Sequence, residues 1–365
     1  MLHSLTSFRF VAAMMVFLYH VNLFKQFELG TAGVQFFFVL SGFILAYNYR
    51  SKFSQLTLNQ TKKFYLARFA KIYPVHVLTF VISIPLVVMY FHPNGLYAVK
   101  FAVMSAINLM LIHSFIPSQA TYFNFNGVSW TLSVESVFYL TFPFIIWLFT
   151  KFRVTRHVLK SLIVLFAAWL IMFLLNMNLD ADNNLWVWML HIFPITRLFE
   201  FMTGVLLGII FIEQSTNKLK LINNTKLFHW LELLSLLSFV ISLVLSKQMS
   251  PAIVRGVYFV PVWCFLIYVF AFQKGVFSKA LSNKWLVYLG EISFSFYMIH
   301  QLVIRYSEFT GIAPVSRYVL CFIVSLVLSA LMFQYYEEPL RKKIRFGLFK
   351  TSKPSVQLSN SAMIK

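Results

Sequence analysis

Apolar runs of about 17 to 22 residues recur along the whole chain, separated by short stretches rich in lysine and arginine. Each run is long enough for a helix to cross a hydrocarbon core about 30 Å thick. The pattern predicts spans near residues 7–24, 32–49, 72–91, 128–149, 161–177, 191–212, 229–246, 256–272, 285–304 and 317–335. An eleventh run, 97–116, is different in kind. It contains Lys100, Asn108 and His113 and is bounded by His92-Pro93-Asn94-Gly95 and Pro117, so it reads as a re-entrant or interfacial segment covered by protein. The expected fold class is an all-α polytopic membrane protein of about ten transmembrane helices plus that segment.

The charges between the runs orient the spans. Arg50, Lys52, Lys62, Lys63, Arg68 and Lys71 fall between the second and third runs, and Lys151, Arg153, Arg156 and Lys160 between the fourth and fifth. Both groups can be cytoplasmic, as the positive-inside bias requires, only if 97–116 does not cross. The segments with Lys218, Lys220 and Lys226, and with Lys274, Lys279 and Lys284, then also fall inside. Asp180 and Asp182, the only two aspartates, fall outside. Both termini are expected to be cytoplasmic. Residues 1–345 form one integral-membrane unit, and 346–365 a short polar tail expected to be disordered.

Composition sharpens this picture without changing it. Of 365 residues, 59% are hydrophobic and 12% charged, which excludes an ordinary soluble protein. The net charge of +20 suggests nucleic acid at first sight, but the cations lie in the short loops, where topology and anionic head groups explain them. No nucleic-acid partner is expected. Cys264 and Cys321 each sit in an apolar run and read as core residues, and no metal-ligand spacing, phosphate-binding glycine loop or nucleophile elbow is present.

Polar residues inside the runs carry the candidate chemistry, because ionisable groups at such depth face a bundle interior or a wet cavity. Arg9 and His20 bracket ten residues of the first span. Eleven positions bring them back to nearly one face, about 16 Å apart along the axis. Arg68 and Lys71 stand at the start of the third span on the same side as Arg9. Thr131 and Glu135, in Trp130-Thr131-Leu132-Ser133-Val134-Glu135, share a helix face. The topology puts Glu135 and His300 at the level of His20, so a Glu135–His20 pair is expected, with the carboxylate fixing the imidazole. His76 and His92 read as interfacial anchors. Gly33, Ser41 and Gly42 permit close helix approach. Pro74 is expected to begin a span, and Arg341 to pair with a carboxylate of Glu337-Glu338.

These stretches, taken in order, resemble the membrane-bound acyltransferase-3 family of bacterial cell-surface glycan O-acyltransferases. The resemblance rests on Arg9-x10-His20, on Phe36 to Phe43 ending in Leu-Ser-Gly-Phe, and on Arg68-x2-Lys71-Ile-Tyr-Pro74. It continues through Trp130 to Glu135 with Phe138-Tyr139, Gly290-x2-Ser293 to His300, and Glu338-Pro339-x-Arg341. Lys71 departs from it, standing where arginine is expected, and no soluble esterase-like extension follows.

The resemblance implies a multi-pass protein of the bacterial cytoplasmic (inner) membrane that takes an acyl group from cytoplasmic acyl-CoA, most often acetyl-CoA, as a co-substrate with no bound cofactor. The acceptor would be a hydroxyl of a cell-envelope glycan, such as lipopolysaccharide, on the far side of the lipid bilayer. Arg9, Arg68 and Lys71 would meet the donor's phosphates. His20 would act as general base or carry the acyl group, with Glu135 orienting it. His300, Trp130, Ser133, Tyr139 and Ser41 would serve the acceptor side or the framework. A glycan or acyl-group transporter without chemistry, and a non-catalytic scaffold, are the competing readings.

Overall fold

A computed structural model describes residues 2–53, 55–180, 183–216 and 224–347, and every regular element among them is helical. The expectations for Asp182, Lys218, Lys220 and a disordered tail past residue 347 lie outside the described residues. The longer helices are α1 (His3–His20), α2 (Leu29–Tyr49), α3 (Leu58–Phe91), α4 (Leu96–Leu109), α5 (Trp130–Lys151) and α6 (Val158–Met177). They continue with α7 (Pro194–Thr216), α8 (Thr225–Ser246), α9 (Val260–Ala271), α10 (Lys284–Ser307), α11 (Pro314–Met332) and α12 (Glu338–Gly347).

Nine helical stretches among the described residues are long and apolar enough to cross a membrane. The first helix is not one of the nine, because His3, Arg9 and His20 lower its mean hydropathy. It is nonetheless 18 residues long, about 27 Å, and packs along α2 and α10. Helix α4 has 14 residues and reaches only about 21 Å, short of the hydrocarbon core.

The third helix departs from the expected boundary, since α3 starts at Leu58 and runs 34 residues through Pro74 and Pro85. Residues 58–73 contain no glycine or proline, and their Lys, Leu, Gln, Ala and Arg are good helix formers, so nothing separates the basic stretch from the apolar run. The span expected at 256–272 is instead interrupted. A short helix, Pro251–Gly256, precedes α9, and the break between them is satisfied from the side. Gln35 donates to the carbonyls of Val254 and Gly256, each at 3.1 Å, and accepts from the Phe259 amide at 3.2 Å. Irregular backbone inside a membrane is tolerable where protein supplies such partners.

Small residues set the central crossings. A methyl group on Gly42 would come within 2.1 Å of the Phe201 carbonyl oxygen, and one on Gly204 within 2.0 Å of that of Val39, so α2 and α7 touch backbone to backbone. Gly290 lets α10 meet α1 in the same way, 1.9 Å from the Thr6 carbonyl oxygen. The α2 span is the most enclosed, with 83% of its apolar window buried, while that of α6 is 0% buried.

Candidate active site

A cavity of about 310 Å³ opens between α1, α2, α3, α5 and α10. Arg9 of α1, Arg68 and Lys71 of α3, and Glu135 and Tyr139 of α5 line it together, with Ser41 and Thr131. The i, i+4 spacing of Thr131 and Glu135 thus turns both to one wall, as the sequence indicates. Three cations against one carboxylate make the chamber electropositive.

Neither Arg9 nor Lys71 makes a hydrogen bond or ion pair to another described residue. Arg68 gives Nη2 to the Tyr49 hydroxyl at 3.2 Å, and its guanidinium lies over the rings of Tyr49, Phe64 and Tyr139 at 5.4 to 5.8 Å. Its Nε is buried with no hydrogen-bond partner. Tyr139 donates to the Glu135 carboxylate one turn away, fixing the anion against the α5 surface. These cations keep donor capacity directed into an enclosed polar space.

His20 lies at the other end of α1 and does not line the cavity. Its Nδ1 is 2.9 Å from Nε2 of His300, which is fully buried, and Nδ1 of His300 is 3.2 Å from the Phe296 carbonyl oxygen. A carbonyl only accepts, so in the neutral pair His300 carries its proton on Nδ1. Its Nε2 must then accept from Nδ1–H of His20. That chain leaves the lone pair on Nε2 of His20, as a base requires.

The expected Glu135–His20 pair does not form in this arrangement: each has a different hydrogen-bond partner, Tyr139 for the first and His300 for the second. The reason is register. The Val128 amide donates to Gln301 Oε1 at 3.0 Å, so the chain enters α5 level with residue 301 of α10. Glu135, seven residues on along a helix running the opposite way, is about 10 Å deeper than that level.

Trp130 and Ser133 are buried and bonded into the framework. The Trp130 carbonyl accepts from Ser114 Oγ at 2.8 Å, and Ser133 Oγ donates to the Leu111 carbonyl at 2.6 Å. Both tie the non-spanning segment after α4 to the head of α5.

Three groups escaped the sequence reading. Glu337 is buried at the end of a π-helical stretch, Phe333–Glu337, and accepts from Ser295 Oγ at 2.6 Å. The adjacent Glu338 takes the surface pair, 2.5 Å from Arg341. An extra residue per turn swings one of two consecutive glutamates inward, which no periodicity count reveals. Arg197 and Glu200, each 1% exposed, form an ion pair beside the interrupted span. Phe37 and Tyr297 meet edge-on, with centroids 5.8 Å apart, at the rim of the cavity. Among the described residues no three His, Cys, Asp or Glu side chains gather into a metal-holding group.

Comparison with known proteins agrees with the residues so assembled. The family model described as "Acyltransferase domain" matches residues 2–334. The chain is similar to the acyltransferase MdmB of Streptomyces mycarofaciens, 29% identical over 348 residues covering 84% of this chain and 80% of that protein. It is similar as well to the peptidoglycan O-acetyltransferase OatA of Listeria monocytogenes, 23% identical over 364 residues, and to the O-acetyltransferase OatA of Staphylococcus aureus, 23% identical over 356 residues. It spans 57% of the length of each OatA. No solved structure matches it. With the family matched over nearly the whole chain, and polar residues of five helices brought to one chamber, the protein belongs to the acyltransferase-domain family and is a multi-pass membrane acyltransferase.

Proposed function

We propose that the chain is an O-acetyltransferase that binds acetyl-CoA through the electropositive cavity and delivers the acetyl group to a hydroxyl of an envelope glycan at the His20 end of α1. The observation that carries this reading is the gathering of Arg9, Arg68 and Lys71 in one cavity, with Arg9 and Lys71 in no direct ion pair, together with a histidine couple farther along the helix of Arg9. Arg68 and Lys71 would take the polyphosphate, Arg68 by its fork and Lys71 as a point charge. The axial distance of about 16 Å between Arg9 and His20 leaves room for an extended thioester arm between them.

At the far end the acceptor hydroxyl gives its proton to Nε2 of His20 while its oxygen attacks the thioester carbonyl. The C–S bond breaks, the ester forms, and the proton passes from His20 to the departing thiolate, so the enzyme is regenerated. His300 holds the ring of His20 through Nδ1 and stabilises the imidazolium that forms transiently. Glu135 belongs to the donor chamber in this account, where with Tyr139 it sets the position of the cations. The basic loops support a cytoplasmic position for the Arg9 end, the side on which acyl-CoA is available. The names of the OatA relatives support acetyl over other acyl groups and a wall or envelope glycan as acceptor. The break before α9 is filled by Gln35, so that backbone serves packing and offers no unsatisfied groups to a transported solute.

The test is the mass of envelope polysaccharide from cells with the gene, without it, and with the His20→Ala variant. Loss of an acetyl-sized increment in the deletion, restored by the wild type and not by the variant, is the expected result. Unchanged masses in every glycan fraction overturn the reading.

A further inference from the structure

One buried charge beside the chamber has no part in the transfer described above. Glu337 ends the π-helical stretch Phe333–Glu337, is 3% exposed and does not line the cavity. Two contacts fix where it stands. Its carboxylate accepts from Ser295 Oγ at 2.6 Å, and Ser295 lies on α10 between Phe294 and Tyr297, both of which line the chamber. The neighbouring Tyr336 donates its hydroxyl to the Pro74 carbonyl at 3.3 Å, three residues along α3 from Lys71. Glu337 is thus held between two of the helices that wall the chamber, behind their lining side chains.

A carboxylate so far out of water is costly to keep unless cations offset it. Among the described residues Glu337 makes no direct ion pair, whereas the adjacent Glu338 takes both Arg341 and Lys342. The cations whose charge acts on Glu337 are Arg9, Lys71 and Arg341. On Arg9 it acts more strongly than Glu135 does. With Arg341 already bonded to Glu338, the π-helical turn has in effect set a second anion behind Arg9 and Lys71.

We infer that Glu337 is the counter-charge of the donor chamber, a positioning residue that steadies Arg9 and Lys71 before the donor arrives and weakens their hold on the phosphates of spent coenzyme A. The inference rests on the donor reading above and adds what lets the product leave. Acetyl-CoA and coenzyme A carry the same phosphates, so a tighter grip at that end does not speed transfer and only delays release. A fixed anion behind the cations opposes every phosphate that enters, and at low effective dielectric this is felt over about 10 Å. Glu337 touches no substrate and carries no proton; it acts through the two cations.

The experiment is a titration of coenzyme A into the purified full chain, comparing the wild type with Glu337→Gln, Glu337→Met and Glu337→Asp. Donor KM and kcat are measured alongside, in membranes with the cells' own acceptor. Glu337→Gln keeps the size and an acceptor for Ser295 but loses the charge, and should bind coenzyme A at least about threefold more tightly, with KM and kcat falling together. Glu337→Met, neutral and of similar length, should shift affinity the same way. Glu337→Asp keeps the charge and should stay within about twofold of the wild type. A merely structural carboxylate predicts the opposite sign, since a loosened chamber binds more weakly. Unchanged or weaker binding in the neutral variants overturns the counter-charge and leaves the donor reading standing. So does equal tightening by Glu337→Asp, or failure of both neutral variants to accumulate in the membrane. A wild type that does not bind coenzyme A removes the donor reading and the counter-charge together.

Discussion

Two arginines inside the helical bundle, Arg197 buried and Arg68 half-buried, show how the same residue type serves opposite ends. Arg197 of α7 uses all five of its N–H groups: Nε on the His191 carbonyl, Nη1 on Glu200 and the Gly256 carbonyl, Nη2 on His191 Nδ1 and the Arg255 carbonyl. Arg68 of α3 makes one hydrogen bond, to Tyr49, and leaves a buried Nε without one. The first is a closed network at the break before α9 and holds backbone that would otherwise be unsatisfied. The second lines a cavity that holds other cations. A cation that keeps a buried N–H without a partner beside a cavity points to a ligand, whereas a fully bonded one points to architecture.

The largest expected effect breaks the closed network. Arg197→Leu strips the buried Glu200 carboxylate of its cation and leaves the carbonyls of Arg255 and Gly256 to Gln35 alone, which costs about 3–5 kcal/mol. It should appear as a sharp fall in membrane protein level and melting temperature in detergent. Arg68→Leu removes fewer bonds and should shift stability by about 1 kcal/mol while impairing transfer. Equal melting losses in the two variants would erase the distinction between them.

Next in size is the histidine. His20→Ala should lower acyl transfer by about 10²–10⁴-fold with coenzyme A binding retained, because the base acts at the far end of the path. His300→Leu removes the acceptor that sets the His20 tautomer and should cost on the order of tenfold in kcat, the value of one hydrogen bond of about 1.5 kcal/mol. A His300 variant with wild-type kcat would remove it from the mechanism. The smallest effect is expected from Lys71→Arg, which keeps the charge and adds a fork. The KM for the donor should change by less than about tenfold, as measured by initial rates.

Sequence carried the fold class because each span is a long apolar run, and it set Arg9, Arg68 and Lys71 on one side of the membrane, the three cations that share the chamber. The start of α3 was missed because a basic stretch without breakers is as helical as the run it joins. The Glu135 level was missed because depth was counted from span ends, whereas register is set by distant contacts, the Val128 amide on Gln301 and Asn126 on the Met298 carbonyl. Glu337 was hidden by a π-helical stretch, and the role of Arg197 depends on carbonyls some 59 residues away. Local pattern reports which residues are unusual. Whether their bonds are complete is a property of the packed chain.

The most direct test of the central claim is a binding titration of coenzyme A into the purified full chain, comparing the wild type with the Arg68→Ala/Lys71→Ala double variant and with His20→Ala. The account expects saturable binding by the wild type, unchanged affinity in His20→Ala, and a loss of at least about tenfold in the double variant, equal to about 1.4 kcal/mol. Equal affinity in the double variant, or no binding by the wild type, would contradict it.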